Sequence, residues 1–170
     1  MVYLTGDTHF YHSNIITHCH RPFSDVDNMH EILIDNWNKT VNRGDVIYHL
    51  GDFAFTRNRD AVKQLRKSLN GEIHLIKGNH DQFSDAFYRS IFNSVSNLKE
   101  IKYRNRTVVL CHYALRVWNK KHYNSYHFYA HSHGLLPPWG RSCDVGVDVR
   151  NYMPFSIEDA LIEVKEQLNE

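Results

Sequence analysis

The sequence predicts an α/β fold in which two sheets pack together with helices outside. Three observations carry that expectation. Short apolar runs alternate with stretches of helical periodicity through the first half, as strand–helix units do. The second half changes to consecutive strand-like runs with a hairpin signal. The 170 residues contain no Ser/Gly linker, low-complexity tract or internal repeat, so one domain is expected over residues 1–170. A chain of this length buries roughly 70% of its unfolded surface and needs no disulfide to fold.

Residues 2–6 read as a short buried strand, and Ser13 to His18 as one or two helical turns. A longer helix is expected from about Asp27 to Val41, where Met29, Ile32, Leu33, Trp37 and Val41 follow helical spacing and Asp25 or Asp27 can cap. Val46 to Leu50 is the next strand. A helix over Asp60 to Leu69 turns Ala61, Val62, Leu65 and Leu69 inward, and Asn70-Gly71 stops it, the glycine free to take the left-handed C′ conformation. Glu72 to Lys77 is a third strand, and Ser84 caps a short helix containing Ala86, Phe87 and Ile91. Leu98 to Tyr103 and Thr107 to Cys111 flank Arg104-Asn105-Arg106 as a hairpin. Tyr126 to Ala130 and Asp144 to Val149 read as further strands, with a Pro/Gly-marked loop at residues 134–142 between them. Ser156 caps a last helix with Leu161, Val164 and Leu168 on its inner stripe.

Composition narrows the class. The formal net charge of +1 provides no global field toward nucleic acid or membrane. Cys19, Cys111 and Cys143 are odd in number and widely spaced, which excludes a disulfide framework; Cys111 reads as a buried thiol. No signal peptide and no stretch long enough to span a bilayer is read, so a cytoplasmic enzyme is expected.

Five apolar runs end in metal-binding residue types. The first leads into Asp7-Thr8-His9, the second into Gly51-Asp52, the third into Gly78-Asn79-His80-Asp81, the fourth into His112, the fifth into His131-Ser132-His133. Open α/β sheets hold ligands beyond the carboxyl ends of their strands, so these runs point to one centre gathered from across the chain. The two-residue spacing in Asp7/His9 and His131/His133 sends both side chains of each pair to one side. The donors are oxygen and imidazole nitrogen without thiolate, which suits Mn²⁺, Fe or Zn²⁺ and argues against copper or an iron–sulfur cluster. Seven donors exceed the four or so that one zinc takes. Two cations sharing a carboxylate fit better, and such a pair, roughly 3.5–4 Å apart, clamps both oxygens of a phosphoryl displacement.

Taken in order, these blocks resemble the calcineurin-like metallophosphoesterases, whose pattern is Asp-x-His, Gly-Asp, Gly-Asn-His-Asp/Glu, a lone His, then Gly-His-x-His. The opening Asp7-Thr8-His9-Phe10-Tyr11-His12-Ser13-Asn14-Ile15-Ile16, Arg21-Pro22-Phe23 and the late Gly146-Val147-Asp148-Val149 resemble the small bacterial and phage members, and the likeness covers essentially the whole chain. It implies a four-layer α/β/β/α sandwich with two mixed β-sheets. It implies a first cation on Asp7, His9, Asp52 and His133, and a second on Asp52, Asn79, His112 and His131, with Mn²⁺ the first choice and Fe, Ni²⁺ or Zn²⁺ the alternatives. His80 would contact the phosphate or protonate the leaving oxygen, Asp81 would orient the His80 imidazole, and hydroxide bridging the two cations would be the nucleophile. Alanine at 130 replaces the family's glycine, which would matter if that position needed positive φ.

The implied activity is metal-dependent hydrolysis of a small phosphodiester or phosphomonoester, a nucleotide among the candidates. His12 and Asn14 are candidates to line the pocket, Arg21 to clamp a phosphate oxygen, and Arg57 to join them. Aromatic and basic residues of Tyr113 to Tyr129 are candidates for nucleobase contact. A nuclease is the runner-up, lacking an evident basic groove. A non-catalytic scaffold of the same fold is the reading from another class, and the retained His80 argues against it. No membrane partner is expected, and the oligomeric state is not legible.

Overall fold

The computed structural model describes residues 1–169. The first sheet holds β1 (Val2–Thr5), β2 (Val46–His49), β3 (Glu72–Ile76), β4 (Ser94–Ser96) and β9 (Phe155–Ser156) in the order β4-β3-β2-β1-β9. Its first four strands are parallel and β9 runs antiparallel to β1. The second sheet holds β5 (Leu98–Tyr103), β6 (Arg106–Cys111), β7 (Tyr126–Tyr129) and β8 (Ser142–Asp144) in that order. There β5 and β6 are antiparallel and the other pairs parallel. Both sheets are therefore mixed, and helices flank them, as an α/β fold of the expected class requires.

The helices are α1 (Ser13–His18), α2 (Val26–Thr40), α3 (Arg59–Ser68), α4 (Asp85–Arg89) and α5 (Ile157–Gln167). Side-chain caps set four of their starts. The backbone N–H of Asn28 donates to Asp25 at 2.8 Å, those of Asp60 and Ala61 to Asn58, that of Phe87 to Ser84, and that of Asp159 to Ser156. Met29, Leu33 and Trp37 of α2 bury one face against Ile47 and Ile73 of the first sheet, joined by Val62 and Leu65 of α3 and Phe87 of α4. Each such side chain contributes about 1.5–3 kcal/mol through removal from water. The opposite face, with Leu4, Leu50 and Ile76, meets Val108, Leu110, Tyr126 and Phe128 of the second sheet and the Ile157-Ala160-Leu161-Val164 stripe of α5. Over the other side of the second sheet lies segment 113–125: Trp118 packs 5.2 Å from the His127 ring, and Leu115 N–H donates to His127 Nε2. No helix among the described residues is long and apolar enough to cross a membrane.

Several boundaries differ from expectation. The strand expected over 144–149 ends at Asp144, and Val147–Val149 is a 3₁₀ turn. The cause is local: Gly146 N–H donates to Asp144 Oδ1 at 2.7 Å and turns the chain. Ile91 lies beyond α4, which stops at Arg89. Gly71 is left-handed (φ +95°), but two residues after the C-cap Leu69 rather than directly behind it. Strands β4 and β9 were not expected. In the hairpin, Arg104 (φ +43°) and Asn105 (φ +62°) supply the two positive φ values that a type I′ turn demands.

Candidate metal centre

The carboxyl ends of β1, β2, β3, β6 and β7 lead directly into the seven expected ligands. Beyond the strands, backbone pairing continues: Asp7 N–H donates to Gly51 O, His9 N–H to Asp52 O and Phe10 N–H to Phe53 O, at 2.9, 2.9 and 3.1 Å. Gly51 (φ +90°) lets two loops touch, since a Cβ there would stand 2.6 Å from Gly78 N and from His112 Nδ1. Asp7, His9, Asp52, His131 and His133 all have left-handed backbone, with φ between +48° and +66°. Non-glycine residues pay about 1–3 kcal/mol each for such conformations, which persist where the surroundings enforce them and cluster at functional sites. Ala130 is not in this region, so alanine suits the position.

Two sets of donors converge. Asp7, His9 and His133 offer atoms within 4.8 Å of one another, and Asp52, His112 and His131 do the same. Asp52 Oδ2 lies 3.5 Å from His9 Nε2 and 3.5 Å from His112 Nε2, so one carboxylate oxygen stands between the sets. His112 Nδ1 donates to Leu50 O at 2.7 Å, and burial keeps this imidazole neutral by lowering its pKa. Its Nε2 lone pair therefore faces Asn79 Oδ1 (3.0 Å) and His131 Nδ1 (3.1 Å). Asp7 Oδ1 and His9 Nε2 are buried and have no hydrogen-bond partner. Buried polar atoms left without a partner cost about 1–3 kcal/mol or more, and convergent lone pairs on carboxylate and imidazole suit a divalent cation. The residues thus fit a metal centre. Burial, then the charges of Asp52, Asp144 and Asp148, raises the Asp7 pKa well above the usual carboxylate range; a cation would reverse that repulsion.

The neighbours are placed as follows. His80 N–H donates to Asp52 Oδ1 at 2.8 Å, and its ring meets those of His9 at 5.4 Å and His12 at 6.0 Å. His12 reaches the site, with Nδ1 3.3 Å from His9 Nδ1, while Asn14 is exposed on α1 and is not brought to the ligands. Asp81 does not hold the His80 ring. Its buried carboxylate instead accepts the N–H groups of Asp52, Phe53 and Gly78, tying the ends of β2 and β3 together. Burial pushes its pKa up to about 7, against the opposing pull of those hydrogen bonds.

Arg21 is not a phosphate clamp in this arrangement. It is buried, donates to Asp7 O and Thr8 O, and forms a bidentate pair with Asp148 at 2.8 Å. Asp148 in turn accepts from His133 Nδ1 at 2.8 Å. Burial alone would raise the Asp148 pKa, but the His133 and Arg21 hydrogen bonds hold it below the usual range. The sequence assigns Asp148 no role, although Gly146-Val147-Asp148-Val149 stands out; a carboxylate that fixes a neighbouring imidazole carries no spacing signal of its own. In segment 113–129, Trp118, Tyr126 and Phe128 are core, while Arg116 and Lys121 cover the Trp139 ring. Those three buried rings are closed to a nucleobase.

Comparison with known proteins shows the family and the fold. Residues 2–137 match the family model for the calcineurin-like phosphoesterase superfamily domain. An uncharacterized protein of Methanocaldococcus jannaschii is 34% identical over 165 residues, covering 92% of this chain and 87% of that one. The crystal structure of a protein of unknown function from Aquifex aeolicus superposes with a TM-score of 0.75 at 24% identity, covering 94% of this chain and 96% of that one.

Proposed function

Since the chain belongs to the calcineurin-like phosphoesterase superfamily, we propose that it hydrolyses a phosphodiester or phosphomonoester at a dinuclear centre bridged by Asp52. The observation that carries this reading is the position of Asp52 Oδ2, equidistant at 3.5 Å from a nitrogen of each ligand set. Asp7, His9, Asp52 and His133 would hold one cation, and Asp52, Asn79, His112 and His131 the other, with Mn²⁺ the first choice. When bound, such a pair supplies Lewis acidity toward phosphoryl oxygens and hydroxide at neutral pH.

The chain's own residues do the rest. Arg21 and Asp148 fix the His133 ring, and Leu50 O fixes the tautomer of His112; partners of this kind set ligand orientation and affinity. His80 stands outside both sets, with its backbone on Asp52 and its side chain on the wall of the adjoining cleft; its role in this reading is to give a proton to the leaving oxygen. Water adds to phosphorus as the bond to that oxygen breaks.

The test loads metal-free protein with Mn²⁺, Fe²⁺, Ni²⁺, Zn²⁺ or Mg²⁺ and assays aryl monoesters, aryl diesters and cyclic nucleotides. Turnover with at least one metal, at about two ions per chain by elemental analysis, is expected. Asp52→Asn should lose metal and turnover together. Silence with every metal overturns the reading.

A further inference from the structure

A cleft of about 320 Å³ opens on one side of His80, lined by Phe55, Thr56, Arg57, His80 and Gln82. That is the lower end of the volumes, about 300–1,000 Å³, that take small organic ligands. Its floor is fixed: Phe55 N–H donates to Phe10 O at 2.8 Å, and Thr56 Oγ1 accepts from Asn58 N–H at 3.1 Å. Phe55 is 40% exposed, and its ring stacks on His12 at 4.3 Å and meets His80 edge-on at 5.3 Å. A large aromatic left half-open beside a reacting centre is a stacking platform. Arg57 is exposed, and no hydrogen bond, ion pair or ring engages its guanidinium among the described residues. The Gln82 amide is likewise free, and no Asp or Glu lines the cleft.

We propose that this cleft is the leaving-group subsite and that the leaving group is a nucleotide. Its base stacks on Phe55 with Gln82 at the base edge, and a phosphate beyond the scissile one pairs with Arg57. The inference rests on the phosphoesterase reading of the adjacent ligands. His80 forms one wall, so a group seated here has its leaving oxygen beside the proton donor. The bond from phosphorus to that oxygen breaks, water supplies the replacing oxygen, and the nucleotide departs protonated there. A purely apolar leaving group would leave Arg57 and Gln82 unused, and a sugar phosphate would leave Phe55 unused. A base and an anion together employ all three.

The experiment measures binding of ADP carrying a fluorescent ribose label, displaced by ADP, AMP, adenosine or ribose 5-phosphate. ADP should compete best and ribose 5-phosphate worst. Arg57→Ala should weaken ADP about tenfold and leave adenosine unchanged, as expected for one charge-assisted pair. Phe55→Leu should weaken the adenine ligands roughly tenfold, the scale of one base–aromatic stack, with ribose 5-phosphate unmoved; Phe55→Tyr should retain them. Ribose 5-phosphate competing as well as ADP, or both variants keeping wild-type affinities, overturns the proposal. Hydrolysis of bis(p-nitrophenyl) phosphate by loaded enzyme is read separately. Turnover without nucleotide selectivity removes the subsite alone, and no turnover with any metal removes the reading beneath it.

Discussion

Asp52 concentrates the constraints on this centre into one side chain. Its backbone is left-handed, its N–H is held by Asp81, one carboxylate oxygen accepts from His80 N–H, and the other faces both ligand sets. His80 has no such double duty. Exchange of His80 for alanine should lower kcat about 10²–10⁴-fold, the span of general acid catalysis, with metal content unchanged; unchanged turnover would remove His80 from the mechanism. His49, just upstream, shows how the same neighbourhood affects stability. It is fully buried with Nε2 2.9 Å from Thr8 Oγ1, and burial, with proximity to the His112 ring as the lesser cause, lowers its pKa from 6.5 to about 3. The unfolded chain therefore takes up this proton first as pH falls, and stability is lost between about pH 6.5 and 3, at about 1.4 kcal/mol per unit. His49→Gln should flatten the dependence of unfolding free energy on pH between 6 and 4 by that amount. Parallel slopes in variant and wild type would show that His49 charges as easily folded as unfolded.

At the scale of elements, the two sheets touch where β1 and β7 end. A Cβ on Gly6 would lie 2.6 Å from the Ala130 Cβ, with Leu50 O at 3.3 Å. Gly6→Ala should therefore cost about 1–3 kcal/mol as overpacking, and Ala130→Gly in the same chain should restore part of it. A double-mutant cycle on denaturant midpoints checks this, and additive losses would mean the strand ends are not in contact. This pair also explains what was legible. Strands such as β2 and β3 could be read because each combines an apolar run with a Gly-marked end. Strands β4 and β9 could not, since three and two residues hold no period and are defined by partners far along the chain. Segment 144–149 misled because its apolar alternation is real, while the turn depends on an Asp144–Gly146 hydrogen bond. The side chains that converge on the candidate centre were legible because metal chemistry restricts residue type at strand ends. Arg21 and Asp81 were legible as charged residues near motifs but not in their partners, because both act on backbone brought in from other loops.

At the scale of the molecule, Asp7, His9, Asp52 and Asn79 of the proposed ligand set follow strands of the first sheet, and His112, His131 and His133 follow strands of the second. A cation held by these residues would join the sheets. It would also offset the burial of Asp7 and the charges of Asp52, Asp144 and Asp148 around it, which together raise the Asp7 pKa. Metal binding should then be coupled to global stability as well as to chemistry. At a free Mn²⁺ concentration 100 times the dissociation constant, the linkage amounts to about 2.7 kcal/mol. For a chain of this size that corresponds to a rise in melting temperature of roughly 5–11 °C. The rise should continue logarithmically with concentration, and Asp52→Asn should remove most of it, since Asp52 faces both donor sets. Calorimetry across a metal titration gives the result without any substrate. A melting temperature indifferent to metal, in protein whose turnover still required it, would mean that the ion is not held jointly by the two sheets, and the ligand assignment would have to be withdrawn while the hydrolase activity stood.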